Sequence, residues 1–328
     1  MLKKLLSLVE GKTVHICAHW DADGVCAAAM LYHAAKGHAD YIFTSTKGKP
    51  FLIEPEDIID DADIVICVGI KPSADLLALN KYILYIDNHP NDEANIFNWA
   101  IHDDTAHSTS VLLYERMLKG TNNAYLVFLA LVGYFSERGD RYAMPQIVMK
   151  EAKTLIPDYL KIHEGKEGMY LDIERYVSPL NAGKRMLWSG DIPLEMLKNI
   201  DEPESFTDRK HPLAKQLDNY RRLLLEAYRI KVEIKEGNVI DYAIIDDSKN
   251  IQGVLAAQYM KTKPLMVLNV SDDLVYGSLR VPEKEDFDAG KFLNSFNHKF
   301  KTYNGGGHDK AAAMTIRKDE LKEFIDEL

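Results

Sequence analysis

Apolar and polar positions alternate along the first ninety residues in a way that predicts an α/β fold. Four short apolar runs, rich in β-branched residues, have the length of buried strands and are separated by polar or helical segments. These runs cover residues 13–18, 39–43, 63–69 and 81–86. Strands that alternate with helices form βαβ units, so the pattern predicts a parallel sheet covered by helices.

The remainder of the chain predicts helices followed by a second, smaller α/β unit. The spacing of residues 108–119 is helical, residues 125–134 predict an apolar helix, and residues 145–197 are mixed and mostly helical. A polar, proline-flanked segment at 203–212 is typical of a linker, and an amphipathic helix follows it. Further strands are predicted at 241–245, 265–270 and 274–279.

A chain of 328 residues favours two domains over one. We therefore divide it into a domain at 1–200, a linker with a connecting helix at 201–230, and a C-terminal domain at 231–328.

The turn after the first strand carries the strongest chemical signal. His19-Trp20-Asp21-Ala22-Asp23-Gly24 lies between that strand and a helix of small residues at about 25–35. Ligands of open α/β sheets bind at this edge. One imidazole and two carboxylates, so closely spaced, suit a hard divalent cation. Capping of the following helix is the alternative, and one aspartate would suffice for it.

Composition is that of an ordinary soluble globular protein, with 46% hydrophobic and 27% charged residues. The formal net charge of −10 argues against a generally basic protein that coats nucleic acid, but it allows a local basic channel. The three cysteines form no CxxC pair, and we find no signal peptide or membrane-spanning apolar run. We therefore expect a reducing, cytoplasmic setting without membrane contact.

A glycine triplet near the C-terminus is a second candidate site. Gly305, Gly306 and Gly307 precede His308 and an alanine-rich segment at 311–313, which we interpret as the start of a helix. Free backbone N–H groups at a helix N-terminus bind anions. The pattern therefore predicts a phosphate site, with a flexible turn as the alternative.

The order of these motifs resembles the DHH phosphoesterase superfamily, specifically its RecJ-like branch. His19-x-Asp21-x-Asp23-Gly24 is similar to the first motif, Asp87-Asn88-His89 stands where the Asp-His-His motif belongs, and Gly139-Asp140 is similar to the fourth motif. Residues 180–185, Leu-Asn-Ala-Gly-Lys-Arg, are similar to the Asn-Ala-Ala-Gly-Arg linker signature. The resemblance implies a parallel-sheet DHH domain, a helical linker and a smaller α/β C-terminal domain of the DHHA1 type.

The resemblance also implies hydrolysis of phosphodiester or phosphoanhydride bonds with two Mn²⁺ or Mg²⁺ ions. By this resemblance, His19 and Asp21 would hold one ion, and Asp23 and Asp140 would hold the other. Acidic groups that contribute to the net charge of −10 would then serve as metal ligands.

Substrate contacts follow from the same resemblance. His89 would contact the scissile phosphate or the nucleophile, and Asp87 would orient the neighbouring groups. Arg280, His308 and the triplet Gly305–Gly307 would bind the substrate phosphate or the terminal nucleotide, a role that suits the planar guanidinium of arginine.

Two positions depart from the pattern of the family. Cys67 stands where a bridging aspartate belongs, two residues before Gly69, and Asn88 stands where a histidine ligand belongs. A thiol is protonated unless its pKa is lowered, and an amide oxygen is a weaker donor than imidazole. We therefore expect a depleted second metal site. The alternative is that this site is vestigial and that Cys67 is an ordinary buried residue.

The leading hypothesis is a metal-dependent exonuclease on single-stranded DNA or RNA, active in archaeal replication or repair. Cys67 and Asn88 motivate the alternative of a catalytically inactive DHH protein that assists a helicase or replication factor, as Cdc45-like relatives do. A phosphoesterase of small nucleotides is the third hypothesis. The archaeal resemblance implies the fork helicase Hef or the replication factor GINS as partners, and it allows a homo-oligomer.

Overall fold

The chain folds into two compact units, Met1–Arg221 and Arg222–Leu328. The computed structural model describes residues 1–45, 52–91, 93–137, 144–165, 168–207 and 210–328. The motif Gly139-Asp140, and with it the predicted ligand Asp140, lies outside the described residues. No helix among the described residues combines the length and the apolar character needed to cross a bilayer.

The N-terminal unit is built on a parallel sheet. Its strands are β1 (Thr13–Ala18), β2 (Asp40–Ser45), β3 (Leu52–Ile53), β4 (Ile64–Val68), β5 (Lys71–Pro72), β6 (Tyr82–Asp87), β7 (Trp99–His102), β8 (Ile162–Gly165) and β9 (Gly168–Leu171). Five of them form the main sheet in the order β2-β1-β4-β6-β7, and all neighbours in it are parallel. The pairs β3-β5 and β8-β9 form two small separate sheets.

Helices cover this sheet and continue beyond it. They are α1 (Leu2–Val9), α2 (Ala22–Ala35), α3 (Thr109–Leu113), α4 (Ala124–Ser136), α5 (Gln146–Leu155), α6 (Val177–Leu187), α7 (Asp191–Asn199), α8 (Pro203–Thr207) and α9 (Pro212–Ala227). Strand β4 is buried on both faces: Ile64, Ile66 and Val68 belong to the same core cluster as α2 and α4, whereas Val65 and Cys67 belong to a second cluster. Burial on both faces explains why the sequences of β1, β4 and β6 are continuous apolar runs.

The strand order places a topological switch between β1 and β4. The chain leaves β1 toward β2 on one side and then continues through β4 and β6 on the other. Loops that leave the carboxyl ends of strands on either side of such a switch diverge and open a crevice there. The turn His19–Asp23 after β1, Gly69 after β4 and Asn88 after β6 all follow strands at this edge.

Three local features differ from the sequence-based expectations. Strand β7 was not predicted, because four residues at a sheet edge give too short an alternation to detect. The helix predicted over 108–119 is α3 followed by a π-helical turn, Tyr114–Leu118. The segment predicted as a linker contains helix α8.

The C-terminal unit is a mixed α/β domain. Its strands are β10 (Asp241–Ile245), β11 (Leu265–Ser271), β12 (Leu274–Arg280), β13 (Asn304–Gly307) and β14 (Ala311–Arg317), and its helices are α10 (Gln252–Tyr259), α11 (Ala289–Asn294) and α12 (Leu321–Ile325). The sheet order is β10-β11-β12-β14-β13, in which only the pair β10-β11 is parallel. The parallel sheet, the helices and this smaller α/β unit confirm the predicted fold class.

The prediction of a helix after the glycine triplet is wrong. The alanine-rich segment is strand β14, which pairs antiparallel with β12 and β13. Ala312, Met314 and Ile316 are buried alternately along it, a period of two that outweighs the helix propensity of alanine. The triplet lies in β13 rather than at a helix N-terminus.

Candidate active site

Asp21 lies at the start of α2 and faces a histidine from its own loop. Its Oδ1 accepts a hydrogen bond from the Gly24 N–H (3.0 Å), so it caps the helix, while its Oδ2 lies 2.7 Å from His19 Nδ1. A Cβ on Gly24 would lie 2.5 Å from the His19 carbonyl oxygen, so the tight turn requires glycine. Burial raises the pKa of Asp21, but the charges of His19 and Lys184 outweigh it and hold that pKa below its usual range.

Asp23 points to the neighbouring helix instead. Its Oδ2 accepts the Thr109 N–H at 2.7 Å and its Oδ1 accepts the Ser110 N–H at 3.0 Å, so the carboxylate satisfies the first turn of α3. Ser108 caps the same helix, since its hydroxyl accepts the Val111 N–H at 3.2 Å. Burial and the charge of Asp21 raise the pKa of Asp23.

A second histidine–aspartate pair stands at the end of β6. Asp87 Oδ1 lies 2.7 Å from His89 Nδ1 and also accepts the Asn88 and His89 N–H groups at 2.8 and 3.2 Å. Its Oδ2 accepts the Tyr85 hydroxyl at 2.8 Å. The Asp87 charge, opposed by burial, raises the pKa of His89 to about 10, so this imidazole is cationic at neutral pH.

Thr109 connects the two parts of the site. Its hydroxyl donates to Asn88 Oδ1 at 2.8 Å and lies 3.3 Å from Asp87 Oδ1, while its N–H binds Asp23. The Asn88 amide also donates to the Ala106 carbonyl at 3.3 Å. Both ends of the Asn88 side chain are therefore occupied by the protein.

Glu137 is an acidic residue at this site that the sequence analysis missed. It follows the C-terminal end of α4, and a ligand atom of its carboxylate lies within 4.8 Å of one on His89. Burial and the charges of Asp21 and Asp23 raise the pKa of Glu137 to about 8. A signal was present, since an acidic residue at the end of an apolar helix opposes the helix dipole and calls for another explanation.

Cys67 contributes no charge to the site. It is fully buried in one apolar cluster with Cys17 and Tyr85, and burial raises the pKa of its thiol well above the usual range. The thiol is therefore protonated. A carboxylate bridge is absent at this position among the described residues.

The predicted substrate residues lie in the C-terminal unit. Arg280 ends β12, with its Nη1 donating to the Leu279 carbonyl at 3.0 Å, and the His308 N–H donates to the Ala311 carbonyl at 2.9 Å. Gly307 has a φ of +145°, and a Cβ there would lie 2.6 Å from Ala312 Cα. The turn between β13 and β14 therefore requires glycine for structural reasons.

Comparison with known proteins identifies the C-terminal domain and the overall fold. The DHHA1 domain family matches residues 241–328. A crystal structure of exonuclease RecJ bound to manganese superposes with a TM-score of 0.65 at 18% identity, covering 98% of this chain and 91% of that one. No curated protein matches the sequence.

RecJ from Thermus thermophilus gives the same result. Its complex with Mn²⁺ has a TM-score of 0.66 at 17% identity, and its complex with Mg²⁺ has a TM-score of 0.58 at 16% identity. In both comparisons 98% of this chain is covered, but it spans only about half of the Thermus chain, 52% and 50% respectively. The chain thus carries a C-terminal DHHA1 domain and has the fold of RecJ, which confirms the predicted resemblance in fold to the RecJ-like branch.

Proposed function

We propose that this chain is a phosphodiesterase dependent on Mn²⁺ or Mg²⁺, acting as an exonuclease on single-stranded nucleic acid in an archaeal replication or repair process. The observation that carries the proposal is the convergence of His19, Asp21, Asp87, His89 and Glu137 at the switch point of the parallel sheet. Four buried or half-buried carboxylates, counting Asp23, form an acidic site that a divalent cation would neutralise.

The donor set fits such a cation. Carboxylate oxygens and imidazole nitrogens are the ligands that Mn²⁺ and Mg²⁺ accept, and the loop after β1 offers both kinds. His19 and Asp21 would hold the ion, and Glu137 lies beside His89 at the same edge of the sheet. A second ion would depend on Asp23 and Asp140. The bound metal would lower the pKa of the attacking water and neutralise charge on the phosphate.

The other residues of the site serve the substrate. Asp87 holds His89 in one orientation, with the Nδ1 bound and the other ring nitrogen directed away from the carboxylate. The side chain of His89 is 40% exposed, so a cationic imidazole is available to a phosphate oxygen. In the C-terminal unit, Arg280, His308 and the triplet Gly305–Gly307 would bind the nucleic acid, the arginine through its planar fork.

Hydrolysis of a labelled strand tests this function. We would incubate the full chain with a long single-stranded oligonucleotide, a trinucleotide and a cyclic dinucleotide, each with increasing Mn²⁺. Stepwise shortening of the long strand supports the exonuclease. Hydrolysis confined to the short or cyclic substrate would instead establish a small-nucleotide phosphoesterase.

The second candidate is a catalytically inactive protein that assists a helicase or replication factor such as Hef or GINS. The buried, protonated Cys67 and the fully engaged Asn88 favour it, because both positions lose a ligand that the family uses. A chain that binds such a partner but leaves all three substrates intact across the Mn²⁺ range would support this role.

A further inference from the structure

Helix α6 is attached to the turn that carries Asp21. Asn181 Oδ1 accepts the Ala22 N–H at 3.1 Å, which fixes the helix against the turn. The ring of Trp188, just after the helix, lies 6.0 Å from that of Trp20. Residues three apart lie on the same helix face, so Lys184 also faces the turn.

Lys184 brings its ammonium group to the proposed metal site. Its Nζ lies 3.9 Å from Asp21 Oδ2 and 5.7 Å from the centre of the Trp20 ring, and its side chain is three-quarters buried. The same carboxylate oxygen faces His19 Nδ1.

The ligands among the described residues serve one divalent ion better than two. Cys67 is fully buried in an apolar cluster, at the position where the resemblance places a carboxylate that bridges two ions. Both ends of the Asn88 side chain are bound by the protein, and both oxygens of Asp23 accept backbone N–H groups. Lys184 adds a positive charge beside Asp21.

We propose that Lys184 is a built-in cation that takes the place of one divalent ion, so that the site binds one Mn²⁺ rather than two. This inference rests on the proposed function, since it concerns the metal content of the same site. A metal ion lies about 2.0–2.6 Å from its oxygen ligand, so an ion on Asp21 Oδ2 would lie within about 6.5 Å of the ammonium. A second divalent ion in the same site would be repelled both by this first ion and by the ammonium of Lys184.

Replacement of the lysine by a neutral side chain of similar length tests the proposal. Lys184→Met keeps the apolar contact with Trp20 and removes the charge. We expect either a second Mn²⁺ to bind or the first to bind at least tenfold more tightly. Lys184→Arg keeps the charge and should bind Mn²⁺ as the wild type does.

Lys198→Met is the matched control. Lys198 lies on α7 with its Nζ 4.5 Å from the centre of the Phe43 ring, so this change also removes one positive charge and one cation–π contact, but at another place. Mn²⁺ titrations followed by electron paramagnetic resonance would give the number of bound ions and their affinity for each protein. Circular dichroism would establish folding, and Lys184→Gln would replace Lys184→Met if the latter does not fold.

The possible outcomes separate the inference from the proposed function. Tighter or additional Mn²⁺ in Lys184→Met alone supports the inference. Equal binding by the wild type and Lys184→Met, weaker binding by Lys184→Met, or two tightly bound ions in the wild type overturns it and leaves the proposed function standing. If all the folded proteins bind no Mn²⁺, both are wrong.

Discussion

Two histidine–aspartate pairs lie at the same edge of the sheet, and they differ in what surrounds the carboxylate. In each pair the histidine Nδ1 is 2.7 Å from an aspartate oxygen. The Asp87 side chain is 2% exposed and accepts further hydrogen bonds from Tyr85 and from two backbone N–H groups. The Asp21 side chain is 15% exposed and accepts a backbone bond from Gly24.

The difference indicates a division of labour. A carboxylate whose acceptor positions are filled by the protein stabilises the fold and orients its histidine. A carboxylate with remaining lone pairs and access to solvent can bind a cation. We therefore assign metal binding to Asp21 and positioning to Asp87, although the two pairs have the same geometry.

The largest effect should follow from Asp21→Asn. Asparagine still caps α2, so the free energy of unfolding should change by less than about 1 kcal/mol. Loss of the charged ligand should reduce the rate of strand hydrolysis in Mn²⁺ about a thousandfold. The hydrolysis rate and the unfolding free energy from a urea titration would be measured for Asp21→Asn and for a control, Asp75→Asn. The control removes an exposed carboxylate elsewhere in the chain. If Asp21→Asn hydrolyses the strand as fast as the wild type, Asp21 is not a metal ligand.

Asp87→Asn should instead act on stability. The change removes the charge that the half-exposed His89 faces, and it disturbs the buried hydrogen bonds that Asp87 accepts from Tyr85 and two backbone N–H groups, which costs about 2 kcal/mol of unfolding free energy. Urea denaturation of this variant and of Asp21→Asn, under the same conditions, would compare the two pairs directly. Equal stabilities for the two variants would contradict the division of labour.

His15 extends the comparison to a buried histidine bound to neutral groups. Its Nδ1 accepts the Ile59 N–H at 3.3 Å and its Nε2 lies 2.9 Å from Thr44 Oγ1. Burial and the charge of Lys81 lower the pKa of His15 to about 4. The unfolded chain takes up this proton near pH 6.5 and the folded chain only near pH 4, so stability falls as the pH falls between these values.

At pH 5 the loss from His15 should be about 2 kcal/mol relative to pH 7, and none should be seen above pH 7. Urea titrations of the wild type and of His15→Gln at both pH values would isolate this contribution as a difference. An unchanged difference between the two proteins from pH 7 to pH 5 would mean that His15 is not held neutral.

The smallest effect should come from Arg280→Ala in the C-terminal unit. If the guanidinium pairs with one phosphate, its loss should weaken single-strand binding about tenfold and reduce the slope of log affinity against log salt by about 0.7. Arg317→Ala removes an arginine of the same unit that faces Asp319, and it serves as the control. A salt slope equal to that of the wild type would exclude a phosphate contact by Arg280.

Much of the fold could be predicted because its main strands are buried on both faces. Strands β1, β4 and β6 read as apolar runs, and the residues after them were placed at the correct edge by the rule for parallel strands. Strand β14 could not be predicted from local sequence, because alanine favours a helix and only pairing with β12 and β13 makes the segment a strand.

Part of the site could not be predicted from local sequence either, because it also depends on contacts between distant parts of the chain. The residues near β1 and β6 lie close together in sequence, whereas Glu137 and Lys184 reach the site from two helices far along the chain. Their approach depends on the packing of α4 and α6 against the sheet unit. Asn181 and Lys184 lie within the motif at 180–185, but their contacts with the Ala22 N–H and with Asp21 become visible only in the folded structure.

The most direct test of the division of labour is the position of the metal ion itself. Crystals of the wild type soaked in Mn²⁺ would be measured at a wavelength where manganese scatters anomalously. We expect a peak within about 2.5 Å of the Asp21 carboxylate, with the Asp87 carboxylate still bound to His89 and Tyr85 and ligating no ion. A manganese peak coordinated by Asp87, with Asp21 left unliganded, would contradict this division.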